Sequence, residues 1–364
     1  MMLVNIEPFS GISEVTFQAK GEETWVLAGE VFSDHLLTLP PESSVILKGV
    51  DGMVEIWQNQ NRIGAWTQLK FLANDAIPQF RLFFPKGKVL TQSFPDHLVI
   101  KAEPTGLQLY NLVWLENYVA GVIAGEVGHS TEPEFLKVQA VCSRTYAFKN
   151  QTKHASEGFD ACDKTHCQAY KGITPHHSRY LNAAKSTLDE VIVFKQDQLI
   201  DAVFYANCGG ITANSEEVWS NEIGYLRSVS CSPFCLNTVN SIWKKTIPKA
   251  KVLQSFSNYY NHKITRYKLE KGQSGRVRKI LLNNGEFSLN GEVVRKLLGL
   301  KSSLYSVSEV GSNLLFFGRG FGHGVGMCQD GAAARAKKGW KYDKIIKYYY
   351  KNVETMPYYK LAKE

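Results

Sequence analysis

The spacing of apolar and polar positions changes character near residue 100. Before it, short runs such as Val15-Thr16-Phe17, Ser44-Val45-Ile46-Leu47 and Met53-Val54-Glu55-Ile56-Trp57 are broken by Gly, Pro, Asn and Asp. That pattern predicts an antiparallel, β-rich region over residues 1–100, with His97-Leu98-Val99-Ile100 as a further strand. From Asn111 to Asn150 the period becomes helical, with Leu112, Leu115, Val119, Val122 and Ile123 three and four residues apart. At about 100° per residue, the next position on that stripe is Glu126, nearly in line with Leu115 and Val119. A carboxylate therefore stands where a core side chain is expected.

Burial disfavours the charged carboxylate and raises its pKa, which lets a glutamate act as a proton donor near neutral pH. The plainer alternative is a structural Glu held by an Arg or by backbone donors. Gly121 and Gly125 lie on the same helix and cost roughly 1 kcal/mol each in a helix interior, but they let another backbone or a ligand come close. A second helix is announced by Thr131 as cap, Pro133 in the first turn and Glu134 as the returning member of a capping box. Leu136, Ala140, Arg144 and Ala147 share one face of it, so Arg144 is a cation on a small, apolar stripe. A close Arg lowers a glutamate pKa whereas a general acid needs it raised. Arg144 is accordingly expected near a substrate and not in a tight bidentate pair.

Further along, His154, Cys162, His166 and Cys167 are zinc-ligand types, although their spacing is not that of a standard zinc finger. Free thiols or a disulfide are the alternatives. A helix is expected over 178–187 and strands over 191–194 and 202–206. Ser215 lacks a Gly-x-Ser-x-Gly elbow and is not read as a nucleophile. Residues 237–306 turn more polar and basic, with a helix at Lys249 to Tyr260 and a hairpin through Asn283-Asn284-Gly285, and suggest an inserted docking subdomain. The segment from Gly318 to Gly331 is no phosphate cradle, since it lacks the spacing and final Lys-Ser/Thr of a P-loop. Its glycines are expected to let His323 and Gln329 project into a cleft. The fold class these elements predict is α+β.

Composition narrows the function classes. The chain has 364 residues, 44% hydrophobic and 21% charged, which is ordinary for a globular protein. A net charge of +8 without Lys/Arg blocks interleaved with aromatics argues against a nucleic-acid module and suits an anionic polymer only in a general way. The seven cysteines cannot all pair within the chain, so they do not fix the compartment. No apolar run of about 18 residues is present to span a membrane, and MMLVNIEPFSG does not read as a secretory leader.

Taken together, LENYVAGVIAGEV, VQAVCSRTYAF, HCQAYKGI, CGGITANSEEVW with GYLRSV, and GRGFGHGVGMCQDGA resemble the stage II sporulation protein D family and its amidase-enhancer relatives, in the same order. The resemblance covers roughly residues 116–350. It implies a core over 101–236 and 307–364 around the insert, and an extracytoplasmic cell-envelope location. It also implies a lytic transglycosylase acting on peptidoglycan glycan strands that have lost their peptide stems. Glu126 falls on the catalytic glutamate, and Arg144, Tyr225 and Arg227 on positions associated with activity. Some members hold zinc with one His and two Cys, which carries over to Cys162 and Cys167, with His154 and His166 both candidates for the histidine. Export without a visible leader, and Cys208, Cys231, Cys235 and Cys328, depart from the family pattern.

Ordinary glycosidases use two carboxylates, and a lytic transglycosylase can use one. The competing reading is a non-catalytic glycan-binding protein that stimulates a partner cell-wall amidase. A zinc hydrolase is less favoured, because no His-Glu-x-x-His pattern occurs.

Overall fold

The run of short alternating segments at the start of the chain builds two antiparallel sheets. The computed structural model describes residues 1–7, 10–29, 31–74, 78–84, 91–128, 132–195, 197–219 and 221–361. One sheet has the order Ala161–Cys162, Met2–Asn5, Gly106–Val113, His97–Glu103, Gln68–Asn74, Glu23–Ala28, Asp34–Leu39. The other runs Thr91–Pro95, Gln79–Phe83, Glu14–Lys20, Ser44–Val50, Met53–Gln58, Asn61–Trp66. Alternation decides which face is buried: in Glu14–Lys20, Val15, Phe17 and Ala19 point inward and their neighbours outward. Phe17 meets Phe71 of the other sheet at 4.3 Å between ring centroids, then Phe80 at 5.7 Å, and Phe80 stacks on Phe94 at 5.4 Å. These rings are fully buried, each contributing roughly 2–3 kcal/mol of hydrophobic stabilisation.

The helix carrying Glu126, α1, spans Leu115–Val127. Its start is fixed by Asp96, whose carboxylate accepts the Trp114 backbone N–H at 2.8 Å and the Asn117 side-chain amide at 2.9 Å. It stops at Gly128, which adopts φ 59°. The second helix, α2, spans Pro133–Lys149. Thr131 lies outside the described residues, and the expected capping box with it. Glu134 accepts the Tyr342 backbone N–H at 2.9 Å and pairs with Lys137 at 2.9 Å. Next comes α3, His177–Lys185, close to the expected 178–187.

The chain falls into two compact units, residues 1–130 with 139–190, and 131–138 with 191–364. The second contains α4 (Ser215–Trp219), α5 (Lys249–Tyr260), α6 (Gly291–Leu297), α7 (Gln329–Lys337) and α8 (Tyr342–Tyr349). The expected strand over 191–194 is seen as Glu190–Phe194, between Gln198–Leu199 and Val353–Pro357. The one expected over 202–206 shrinks to Phe204–Tyr205, parallel to Met327–Cys328, because the Ala206 carbonyl is taken by the Asp330 N–H instead of a ladder partner. Helix α5 occupies the expected range, and Val277–Leu282 and Phe287–Asn290 form the expected hairpin through 283–285, all three at positive φ. Trp243, Phe256, Ile280, Val294, Leu314 and Phe316 share a core of their own, with strands Ile242–Pro248, Tyr305–Val310 and Asn313–Arg319 in one sheet. That core reaches past residue 306. With helices and several sheets of largely antiparallel strands, the fold is α+β. Among the described residues no helix is long and apolar enough to cross a membrane.

Candidate functional site

The two glycines of α1 mark the face on which the site is built. A Cβ at Gly125 would lie 2.0 Å from the Ala169 carbonyl oxygen, and one at Gly121 would lie 2.3 Å from the Tyr170 ring. A neighbouring backbone does approach there, as the glycines suggested, and it belongs to residues 169–172. The Lys171 N–H donates to the Gly121 carbonyl at 3.1 Å, and the Ala169 N–H to Glu126 Oε1 at 2.9 Å. Tyr170 is clamped in place: it stacks on Tyr118 at 5.3 Å, lies 6.4 Å from Phe94, and donates its hydroxyl to Asn111 at 2.6 Å. Asn111 in turn donates to the carbonyls of Pro95 and His97. Glu126 is half-buried. Its pKa is raised above the ordinary carboxylate value by desolvation, only partly opposed by the Ala169 N–H.

Arg144 departs from expectation. It is wholly buried and forms the bidentate pair the sequence argument steered it away from, with Glu116 as partner: Nε to Oε1 at 2.9 Å and Nη2 to Oε2 at 2.5 Å. Its remaining donors serve the carbonyls of Ala184 and Glu190, at 3.0 and 2.9 Å. The physical reason is that a guanidinium on the inward stripe of α2 must be neutralised and fully hydrogen-bonded, and Glu116 in the first turn of α1 does this. The arginine ties α1 to α2 and α3.

Immediately before the clamped segment, His154, Cys162, His166 and Cys167 bring their ligand atoms within 4.8 Å of one another. His154 Nε2 is 3.2 Å from Cys167 Sγ, and His166 Nδ1 is 3.8 Å from Cys162 Sγ and 4.0 Å from Cys167 Sγ. The other ring nitrogen of His154 meets Glu157 at 2.5 Å, the outer carboxylate contact that orients metal-ligating histidines. His154, Cys162 and Cys167 are buried and His166 is exposed. Two soft sulfurs and two imidazoles fit a zinc ion.

Tyr225, Arg227, His323 and Gln329 belong to the second unit. Tyr225 is buried, donates to Asp201 Oδ2 at 3.1 Å and accepts the Asp201 N–H at 2.9 Å, with burial pushing its hydroxyl up to about 12. Arg227 forks onto Glu216, reaches Glu222 at 3.2 Å and donates to Ser215 Oγ at 3.0 Å. Ser215 Oγ also accepts the Ile223 N–H and donates to the Asn221 carbonyl, so its hydroxyl is engaged structurally. The His323 ring packs between Tyr205 and Trp219, donates from Nε2 to the Phe204 carbonyl at 3.0 Å and accepts the Val325 N–H at Nδ1. Both nitrogens are thus committed in the neutral tautomer, and desolvation pushes the ring down to about 4. Gln329 opens α7 and is partly buried.

Sequence reasoning did not find the Ala169 N–H, the Glu116 partner of Arg144, or the Asp96 cap. A backbone donor has no residue-type signature. Glu116, however, carried a signal as an acid in the first turn, on the helix facing a buried cation.

A half-buried acid at the end of α1, backed by a segment that follows a cysteine–histidine cluster, is a site arrangement on an α+β scaffold. The stage II sporulation protein family model matches residues 103–194, which contain it. A second family model, described only as a domain of unknown function (DUF8618), matches residues 236–326. The chain is 31% identical to stage II sporulation protein D of Bacillus subtilis, covering 70% of this chain and 80% of that protein. It is 28% identical to the protein of the same name from Bacillus amyloliquefaciens, with the same coverage. The amidase enhancer of Bacillus subtilis is 26% identical, over 65% of this chain and 40% of that protein. The chain belongs to the stage II sporulation protein D family. That membership supports a cell-wall related role.

Proposed function

We propose that this protein is a lytic transglycosylase that cleaves the N-acetylmuramic acid–N-acetylglucosamine bond of peptide-free peptidoglycan strands, outside the cytoplasmic membrane. The observation that carries the reading is Glu126: a carboxyl at the end of a buried helical stripe, inside the family-matched region, whose pKa desolvation raises above the ordinary carboxylate value. Protonated Glu126 donates to the glycosidic oxygen as the bond to the anomeric carbon breaks. The carboxylate then takes the proton of the muramic acid 6-hydroxyl as that oxygen bonds the same carbon. The product is a 1,6-anhydro sugar with no water consumed, and one residue serves as acid and base. The Ala169 N–H orients the carboxylate through both steps.

Tyr225, Arg227, His323 and Gln329 remain proposed strand-binding positions, and Arg144 acts by holding α1 in register. A zinc ion would be held by Cys162, Cys167, His154 and, at an exposed fourth position, His166. Such an ion would fix the segment that presents Ala169.

Glu126→Gln, incubated with denuded glycan strands and read by mass spectrometry, is the test. Anhydro-sugar release is expected from the wild type and not from the variant. Undiminished release from the variant refutes the role of Glu126, and reducing ends from the wild type make the protein a hydrolase. Resemblance to a protein named amidase enhancer favours a second reading, a glycan-binding stimulator of a partner amidase. Glycan binding without products from the purified protein, unchanged in Glu126→Gln, selects it.

A further inference from the structure

Four further cysteines converge in the second unit. Cys208 follows the strand Phe204–Tyr205, Cys231 and Cys235 sit four positions apart in the loop beyond Arg227, and Cys328 precedes the first turn of α7. All four are buried, and every pair of their sulfurs lies within 4.8 Å, with Cys208 and Cys235 at 3.3 Å. A zinc–sulfur bond of about 2.3 Å requires tetrahedral sulfur–sulfur edges of about 3.8 Å, and two disulfides would demand only two close pairs, not six. The Cys231-x-x-x-Cys235 spacing is itself that of a zinc-binding pair.

The surroundings are built for sulfur carrying negative charge. Cys328 Sγ accepts the backbone N–H groups of Cys208 at 3.3 Å and Gly331 at 3.4 Å, while Cys231 Sγ accepts Arg335 Nη1 at 3.4 Å and lies 3.1 Å from the Tyr349 hydroxyl. Arg335 is 2% exposed, and Arg276, 1% exposed, donates to the Cys208 carbonyl at 2.7 Å. Neither guanidinium has a carboxylate within ion-pair distance among the described residues. Two buried cations without an acid are costly, and zinc bound to four thiolates carries a net charge of −2 that offsets both. Gly331 completes the cradle: a Cβ there would lie 2.1 Å from Cys231 Sγ.

We propose that Cys208, Cys231, Cys235 and Cys328 form a structural zinc site, separate from the His154–Cys167 cluster, that staples the Gly209–Gly210 turn, the 231–235 loop and the start of α7 together. Binding releases the four thiol protons to solvent and leaves the ion with no open position, so the site is structural and not catalytic.

The test isolates this site with the full-length double variant Cys162→Ser/Cys167→Ser, purified with zinc under reducing conditions and dialysed. One zinc per chain is expected by elemental mass spectrometry, and cobalt substitution should give the ligand-field and charge-transfer bands of four thiolates. Adding Cys235→Ser should abolish that equivalent, and Arg335→Gln should weaken affinity by about 10–100-fold. Loss of all zinc from the double variant overturns the proposal, whether the four thiols then react freely or the intact mass has dropped by the hydrogens lost in two disulfides. Zinc retained with a cobalt spectrum lacking thiolate bands overturns it too. The reading in the double variant stands even where Cys235→Ser fails to fold.

Discussion

Substituting Gly125 by Ala tests the approach of residues 169–172 to α1. The new methyl would sit 2.0 Å from the Ala169 carbonyl oxygen, where real contacts do not fall below 3.0 Å, so helix or segment must move by about 1 Å. The obstacle is backbone and cannot rotate away. Overpacking costs typically about 1–3 kcal/mol, toward the upper end here, while Ala returns about 1 kcal/mol of helix propensity over Gly. The net loss is about 1–2 kcal/mol, which lowers Tm by roughly 2–8 °C at about 2–4 °C per kcal/mol. The displacement also pulls the Ala169 N–H from Glu126, and a misplacement of about 1 Å at a catalytic group costs on the order of 10²-fold in rate. Calorimetry and anhydro-sugar release on the same preparation give both readings. Gly121→Ala meets a tyrosine ring instead and should cost less activity. Wild-type Tm and wild-type release from Gly125→Ala would refute the geometry of the site.

Three further outcomes follow from charges held out of water. Because burial raises the folded-state pKa of Glu126, its contribution to stability is full below the ordinary value of 4.5 and is lost as pH rises through the raised one. Glu126→Gln should therefore stabilise the protein increasingly toward alkaline pH; a stability difference independent of pH would contradict a buried, titrating carboxyl. His323 runs the other way, since the unfolded chain takes a proton near 6.5 and the folded ring only near about 4: stability falls as pH drops through that window, and an imidazole proton signal titrating near 6.5 would disprove it. Arg144→Lys should lower urea-unfolding stability, with Arg144→Ala costing about 3–5 kcal/mol by stranding Glu116, whereas full stability with lost glycan binding would return Arg144 to the substrate.

The elements legible in the sequence were those with a long, unambiguous period. α5 and the hairpin at 283–285 fall where expected, because an amphipathic run and an Asn-Asn-Gly turn carry their own local signals. Glu126 was legible as a break in a stripe, and Gly121 and Gly125 as room for a neighbour, although the identity of that neighbour was not. Arg144 is legible as a cation on an apolar stripe, but its partner lies 28 residues away on another helix, and only the three-dimensional arrangement of the helices selects it. Glu134 had a plausible local role, yet its carboxylate also meets the Tyr342 N–H, 208 residues distant. The four cysteines of the second unit come together across 120 residues, a separation over which spacing carries no information.

The ring series from Phe17 through Phe80 and Phe94 to Tyr170 and Tyr118 shows where the family match and physical independence part company. The matched region begins at residue 103, but Tyr170, the side chain that wedges residues 169–172 against α1, leans on Phe94, and α1 itself starts from Asp96. A fragment cut at that boundary would keep the proposed acid and all four candidate ligands of the first cluster. It would also lose the surface that holds them at working distance. The sheets ahead of the motif are its anvil, and the hammer has nothing to strike against without them.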